Sequence, residues 1–310
     1  MFAVGYKKLL TLMLLAFSLV LLQGCNHEEE DEDTPDPSIS LTDSYSVKYV
    51  SDMSAISEGK STFTLEITDR VTGNTVSGLN VAVMPMMAMV AGHMHDAPVT
   101  AVTDNGDGTY EATVYYLMPS SMMDGTKMGD WTLKVMIGGM GGEEATFAPD
   151  VKMAMGDSVK ATLLGQSDMI MGMMAAEYRR YFAFKNSLMG TTGDHSFSFF
   201  LAARESMMSH VAVYENVTLN AGDMTYEYLV SPIVVEVSTD GTNWTAAMSS
   251  GDGNYMVSGL TGLTDSVEGH IYVRLTIQGE QKTTNGSAPA GDGSNDYGTF
   301  IVTPGMSMMM

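Results

Sequence analysis

Twelve consecutive residues, 84–95, hold five methionines (Met84, Met86, Met87, Met89, Met94) and two histidines (His93, His95). A thioether sulfur is a soft, neutral ligand that selects Cu(I) over harder divalent ions, and imidazole serves copper and zinc alike. A second dense group follows at Met118, Met122, Met123 and Met128. Methionine is also an adaptable apolar filler of irregular cores. Pro85 and Gly92 would interrupt a regular element, however, and His93-Met94-His95-Asp96 is polar for a core strand. The stretch therefore reads as a ligand-rich loop. Coordination of a soft metal, copper and preferably Cu(I), stands beside a purely packing or interacting role. In an extended segment Met84 and Met86 share a face, as do His93 and His95. Those pairs are the first-choice ligands, with Met122 or Met128 closing from the second loop.

The elements that must position these residues alternate with period two. Thr62–Thr68 puts Phe63, Leu65 and Ile67 on one face, the mark of a half-buried strand. Leu79–Met84, Val99–Val102, Tyr110–Tyr116 and Trp131–Ile137 continue the series, and Asp104-Asn105-Gly106-Asp107-Gly108 supplies hairpin chemistry. Strands that run up and down by hairpins place loops 85–98 and 117–129 at the same end of a sandwich, where such folds display binding loops. Ala145–Lys152 and Ser158–Leu164 read as two more strands, and residues 165–176 as an apolar linker.

The second half repeats the pattern. Phe197–Phe200, Val234–Val237 and Ile271–Ile277 are apolar or alternating, and Gly251-Asp252-Gly253-Asn254-Tyr255 echoes Gly106-Asp107-Gly108-Thr109-Tyr110. The echo is a weak internal repeat pointing to two tandem domains. The nearest soft cluster in this half, Met207-Met208-Ser209-His210, reads as a strand edge.

The N-terminus carries an address. Lys7 and Lys8 precede a fourteen-residue apolar run, Leu9 to Leu22, short for a membrane span and suited to a secretory signal. It ends in Leu22-Gln23-Gly24-Cys25, which resembles a bacterial lipobox, and Cys25 is the single cysteine. The resemblance implies cleavage before Cys25 and lipid attachment to it. Asn26 stands where inner-membrane retention signals carry Asp, which favours the outer membrane. Six acidic residues, Glu28 to Asp33, then form a self-repelling solvated tether.

Composition narrows the function. The 310 residues contain 15 Lys and Arg against 37 Asp and Glu, a formal charge of −22. That balance argues against nucleic acid, whose phosphates need clustered cations. No Gly-x-Ser-x-Gly, His-Glu-x-x-His or phosphate-cradling loop occurs, and the six histidines are too scattered for a three-His catalytic metal. The chain is expected not to be an enzyme.

Gly78-Leu79-Asn80-Val81 running into Met-rich sequence, Asp107-Gly108-Thr109-Tyr110, and Met128-Gly129-Asp130-Trp131 resemble the YtkA-like, or FixH-like, domains over about residues 60–138. The resemblance implies an Ig-like fold, membrane tethering or export, and a link to copper handling. This chain departs from the family by a longer loop with a His-x-His pair.

The expected architecture is all-β, with two tandem Ig-like antiparallel β-sandwiches following a lipoprotein signal peptide and an acidic tether. The divisions are 1–24 signal peptide, 25–43 lipidated linker, 44–164 first sandwich, 165–305 second sandwich and 306–310 Met-rich tail. The expected function is a cell-envelope lipoprotein that binds a soft metal ion through Met84, Met86, Met87, Met89, His93, Met94, His95, Met118, Met122, Met123 and Met128. Its other partners would be the membrane, through the lipid on Cys25, and a protein of unspecified kind. The alternatives are a structural or protein-interaction lipoprotein without metal, and an oxidant sink built on exposed methionine.

Overall fold

The computed structural model describes residues 36–139 and 141–305. The signal peptide, Cys25, most of the acidic tether and the tail 306–310 lie outside the described residues. Apart from a 3-10 turn at Met53–Ala55, the described residues hold no helix, and every strand pairing is antiparallel. The all-β sandwich expected from the alternation is the architecture observed.

Nine strands build the first sandwich: β1 (Ile39–Leu41), β2 (Tyr45–Tyr49), β3 (Gly59–Asp69), β4 (Val81–Met89), β5 (Met94–Asp96), β6 (Thr103–Asp104), β7 (Thr109–Tyr116), β8 (Gly129–Ile137) and β9 (Glu143–Phe147). One sheet has the order β1-β2-β3-β7-β6 and the other β5-β4-β8-β9. Their facing side chains, among them Phe63, Leu65, Ile67, Val114, Trp131, Leu133 and Phe147, form one buried core. The alternate residues of each strand face away, as the pleat requires.

The second sandwich uses β10 (Lys160–Met171), β11 (Ala176–Thr191), β12 (Asp194–Ser206), β13 (Ser209–Ala212), β14 (Thr218–Leu219), β15 (Tyr228–Leu229), β16 (Ile233–Ser238), β17 (Thr245–Ala246), β18 (Met248–Ser249), β19 (Asn254–Leu260), β20 (Gly269–Ile277), β21 (Glu280–Gln281) and β22 (Gly298–Val302). β10-β11-β12-β19-β18, with β13 on β12, packs over β17-β16-β20-β21, with β22 on β20, while β14 and β15 form a separate ribbon. A core of its own, including Phe197, Phe199, Val237, Val273, Leu275 and Phe300, lies between these sheets.

Several sequence expectations shift. The tether was extended to residue 43, but Ile39–Leu41 already pairs with β2. Val99–Val102 contributes only a bridge from Val99 to Val114. The sequence places Ser158–Leu164 in the first sandwich and 165–176 in a linker. Instead β10 runs through residue 164 and pairs with β11 as one long hairpin. The irregularity between Leu164 and Met169 hides this strand from a period-two reading. The connection between the two sheet pairs is thus residues 148–159.

The echoed Gly-Asp-Gly turns have the same geometry. Gly106 and Gly108 have φ of 84° and 88°, Gly251 and Gly253 of 85° and 90°. Asp107 accepts from the Thr109 N–H at 2.9 Å, Asp252 from the Asn254 N–H at 3.0 Å. Tyr110 and Tyr255 are both buried and donate to the carbonyls of Val76 and Val213.

From Pro37 onward the chain is one compact unit. A third apolar cluster joins the sandwiches: Tyr115 and Leu117 from the end of β7 meet Phe182, Phe184, Phe200 and Ala202. The Tyr115 ring stacks on Phe200 at 4.4 Å and 5°, and its hydroxyl donates to Asn186 at 2.9 Å. Lys160 pairs with Glu58 and donates to the Leu117 carbonyl at 2.7 Å.

Candidate metal centre

The Met/His stretch is a hairpin, not a loop. Met84–Met89 lies inside β4, and Met94-His95-Asp96 is β5, with Met86, Met87 and Ala88 opposite Asp96, His95 and Met94. Pro85 is tolerated because β5 reaches only as far as Met86, so Pro85 has a partner strand on one side alone. A proline at such an edge costs no ladder bond on the open side. Gly92 sits in the turn with φ 83°, and the Met89 N–H donates to the His93 carbonyl at 2.8 Å.

The pleat then divides the expected ligands. Val81, Val83, Met87 and Met89 face the core. Met87 is fully buried opposite Trp131. Residues opposite one another in an antiparallel pair share a face, so His95 lies on the Met87 side and His93 on the Met89 side. Met84, Met86 and Met94 occupy the other face, where Met86 is buried and Met94 exposed. The expected face-sharing of Met84 with Met86, and of His93 with His95, follows from this register.

The second Met-rich segment, residues 117–128, is a loop at the same end. Met89 is opposite Gly129, and the Val90 N–H donates to the Met128 carbonyl at 3.0 Å. Met118 and Met128 pack against the rim of the core, and Trp131 Nε1 donates to the Met118 carbonyl at 3.1 Å. Met89, Met118 and Met128 therefore all pack against the first core, and His93 and His95 lie on the Met89 side of the hairpin. Met122 and Met123 do not join them. They stand at the loop tip, beside a cavity of about 300 Å³ that Asp150, Lys152 and Met153 also line.

This end of the sandwich is not open to solvent all round. It is where β7 delivers Tyr115 and Leu117 to the second sandwich. Asp96 accepts from the backbone N–H of His210 at 3.1 Å and binds its ring Nδ1 at 2.6 Å. His210, expected at a strand edge, lies on β13. Its partnership across 114 residues was invisible in the sequence, although the soft run Met207-Met208-Ser209-His210 was a signal that it resembles the hairpin chemically.

His95 is held below its ordinary pKa, first by burial and then by the charges of Arg204 and His210. Its imidazole stays neutral, and hence able to ligate, to lower pH than a free histidine. Among the described residues no three His, Cys, Asp or Glu side chains converge as a metal-holding group. A metal here would depend on thioether sulfur, which matches the donor set of a soft ion.

A comparison with curated proteins finds no match. A family model described as YtkA-like matches residues 40–136. The match begins within β1, upstream of the motifs at residues 78–131, and ends within β8. It spans most of the first sandwich and none of the second, so residues 40–136 are similar to a YtkA-like domain.

Proposed function

We propose that this chain is an exported, lipid-anchored protein that binds a soft metal ion, Cu(I) in preference, at the Met/His end of its YtkA-like domain. The observation that carries the reading is that Met89, Met118 and Met128 all pack against one core, with His93 and His95 on the Met89 side of the hairpin and Val90 bonded to Met128. These thioethers are partly buried, so they can turn toward an ion without opening the core. The neutral imidazole of His95 adds a nitrogen donor that needs no proton removed. Capture or relay of the metal, without catalysis, is the role this donor set fits.

A Cu(I) competition titration tests it. The wild-type chain is expected to bind, and His93→Ala/His95→Ala, Met89→Leu/Met128→Leu and Met84→Leu/Met86→Leu separate the contributions. Leucine keeps roughly the volume of methionine and removes the sulfur. The first two variants should lose affinity at this rim, and the third, whose side chains lie on the opposite face of the hairpin, should leave the rim site intact. Because the His95 pKa is lowered, the His95 contribution to affinity should persist as pH falls through the usual imidazole range near 6.5 and decline only below it. No affinity in the wild type would leave the Met-rich end as a packing or protein-interaction surface.

The membrane anchor rests on Lys7, Lys8, the apolar run and the sole cysteine. In a Gram-negative host, labelled fatty acid should enter the wild-type chain and not Cys25→Ala. Label in the mutant would remove the anchor from the proposal.

A further inference from the structure

His210, like His195, combines a ring held by a carboxylate with a second nitrogen that is buried and unpartnered. Its side chain is 1% exposed. One edge of the ring is fixed by Asp96, which takes Nδ1 at 2.6 Å on one oxygen and the His210 backbone N–H at 3.1 Å on the other. The other ring nitrogen, Nε2, is buried and has no hydrogen-bond partner. A carboxylate that accepts from Nδ1–H fixes the tautomer with the lone pair on Nε2 and raises its basicity. Orienting an imidazole in this way is how proteins prepare a metal ligand, and a buried nitrogen left without a partner is otherwise costly.

The surroundings are those of the hairpin. Asp96 is the last residue of β5, adjacent in sequence to His95 and opposite Met86 across the strand pair, with Met94 two residues before it. His95 feels the charges of Arg204, His210, Asp96 and His93 together, so these groups lie within electrostatic reach of one another. Arg204, directly opposite His210 on β12, is turned to Glu177 at 2.9 Å, which keeps its charge partnered. Phe182, its ring 5.6 Å from that of His210, walls the junction side.

We propose that His210 Nε2 is a ligand for a soft metal ion, with Asp96 as its positioning residue, so that the second sandwich supplies a donor on the Met86–Met94 face of the hairpin. The remaining donors are those on the Asp96 face of the hairpin, Met86 and Met94. This inference rests on the proposed metal binding and goes beyond it, because His210 lies outside residues 40–136. A buried water on Nε2 is the competing occupant.

The test uses the full chain, labelled with ¹⁵N, and Ag(I) as a redox-stable analogue of Cu(I). The His210 Nε2 resonance should move on Ag(I) addition while Nδ1 keeps its hydrogen-bonded position. In Cu(I) competition Asp96→Asn should weaken binding about ten- to a hundredfold, the usual effect of losing such a partner. His210→Gln should weaken it at least as much, with the metal-free unfolding transition retained. Where a variant fails to fold, the wild-type Nε2 resonance decides. Metal binding with Nε2 unmoved, or with unchanged affinity in His210→Gln, overturns the role of His210 and leaves the first-sandwich site standing. Absence of Cu(I) and Ag(I) binding in the wild type overturns both.

Discussion

Asp168→Ala is expected to destabilise the second sandwich by about 3–5 kcal/mol, the cost of stripping the partner from a buried charge. The Asp168 side chain is 1% exposed, and those of Arg179 and Lys282 are 0% exposed. Arg179 Nε donates to one Asp168 oxygen at 2.8 Å, while the Tyr181 hydroxyl donates to the other. Lys282 lies 3.8 Å from that second oxygen and is also paired with Glu280 at 2.7 Å. Burial, reinforced by Asp168, drives the Tyr181 phenol well above its ordinary pKa, so it stays a donor. Alanine leaves a guanidinium inside the sheet without its counter-charge. Asn220 and the carbonyls of Arg204 and Tyr226 still accept from it, which keeps the loss within that range rather than above it. The two tryptophans report separately, Trp131 on the first sandwich and Trp244 on the second. Denaturant unfolding of single-tryptophan variants should show the Trp244 transition move. A change under about 1 kcal/mol would mean the network is relaxed or hydrated, as an exposed pair would be.

Met87→Ala is expected to cost about 2–5 kcal/mol, the range for truncating a buried methionine. Met87→Leu should cost less than about 1.5 kcal/mol, because volume is kept. Met87 is fully buried, with Trp131 as its register partner, and its Cε lies 2.9 Å from where a Cβ on Gly129 would stand. The Trp131 transition reads both variants. Cu(I) affinity should be unchanged in the leucine variant, since this sulfur is sealed into the core. An affinity loss in Met87→Leu without a stability loss would return Met87 to the ligand set.

These two residues show what the sequence could convey. The alternation of Phe63, Leu65 and Ile67, or of Trp131, Leu133 and Val135, states which face is buried whatever the neighbours, and those strands were legible. Met84–Met89 was not, because five apolar residues in six erase the alternation and Pro85 mimics a break. Only the length of β5 explains why that proline is harmless, and strand length is a tertiary outcome. The common end of the two Met-rich segments was legible from hairpin direction alone. The covering of that end by the second sandwich was not, since Tyr115–Phe200 and Asp96–His210 are contacts between residues far apart in the chain. Nor could sequence sort the eleven candidate ligands, because a thioether in the core and one at its rim are the same letter.

The extent of the family match has a practical consequence through β9. Residues 40–136 stop one residue short of the end of β8, yet Glu143–Phe147 pairs along β8 from Leu133 to Ile137 and adds Ala145 and Phe147 to the core. A fragment cut at residue 136 would uncover a row of unpaired backbone donors and acceptors beside an aromatic-sized hollow. Such an edge recruits other chains. Self-association of that fragment would then be a property of the cut rather than of the domain, whereas one carried through Phe147 keeps its outer strand.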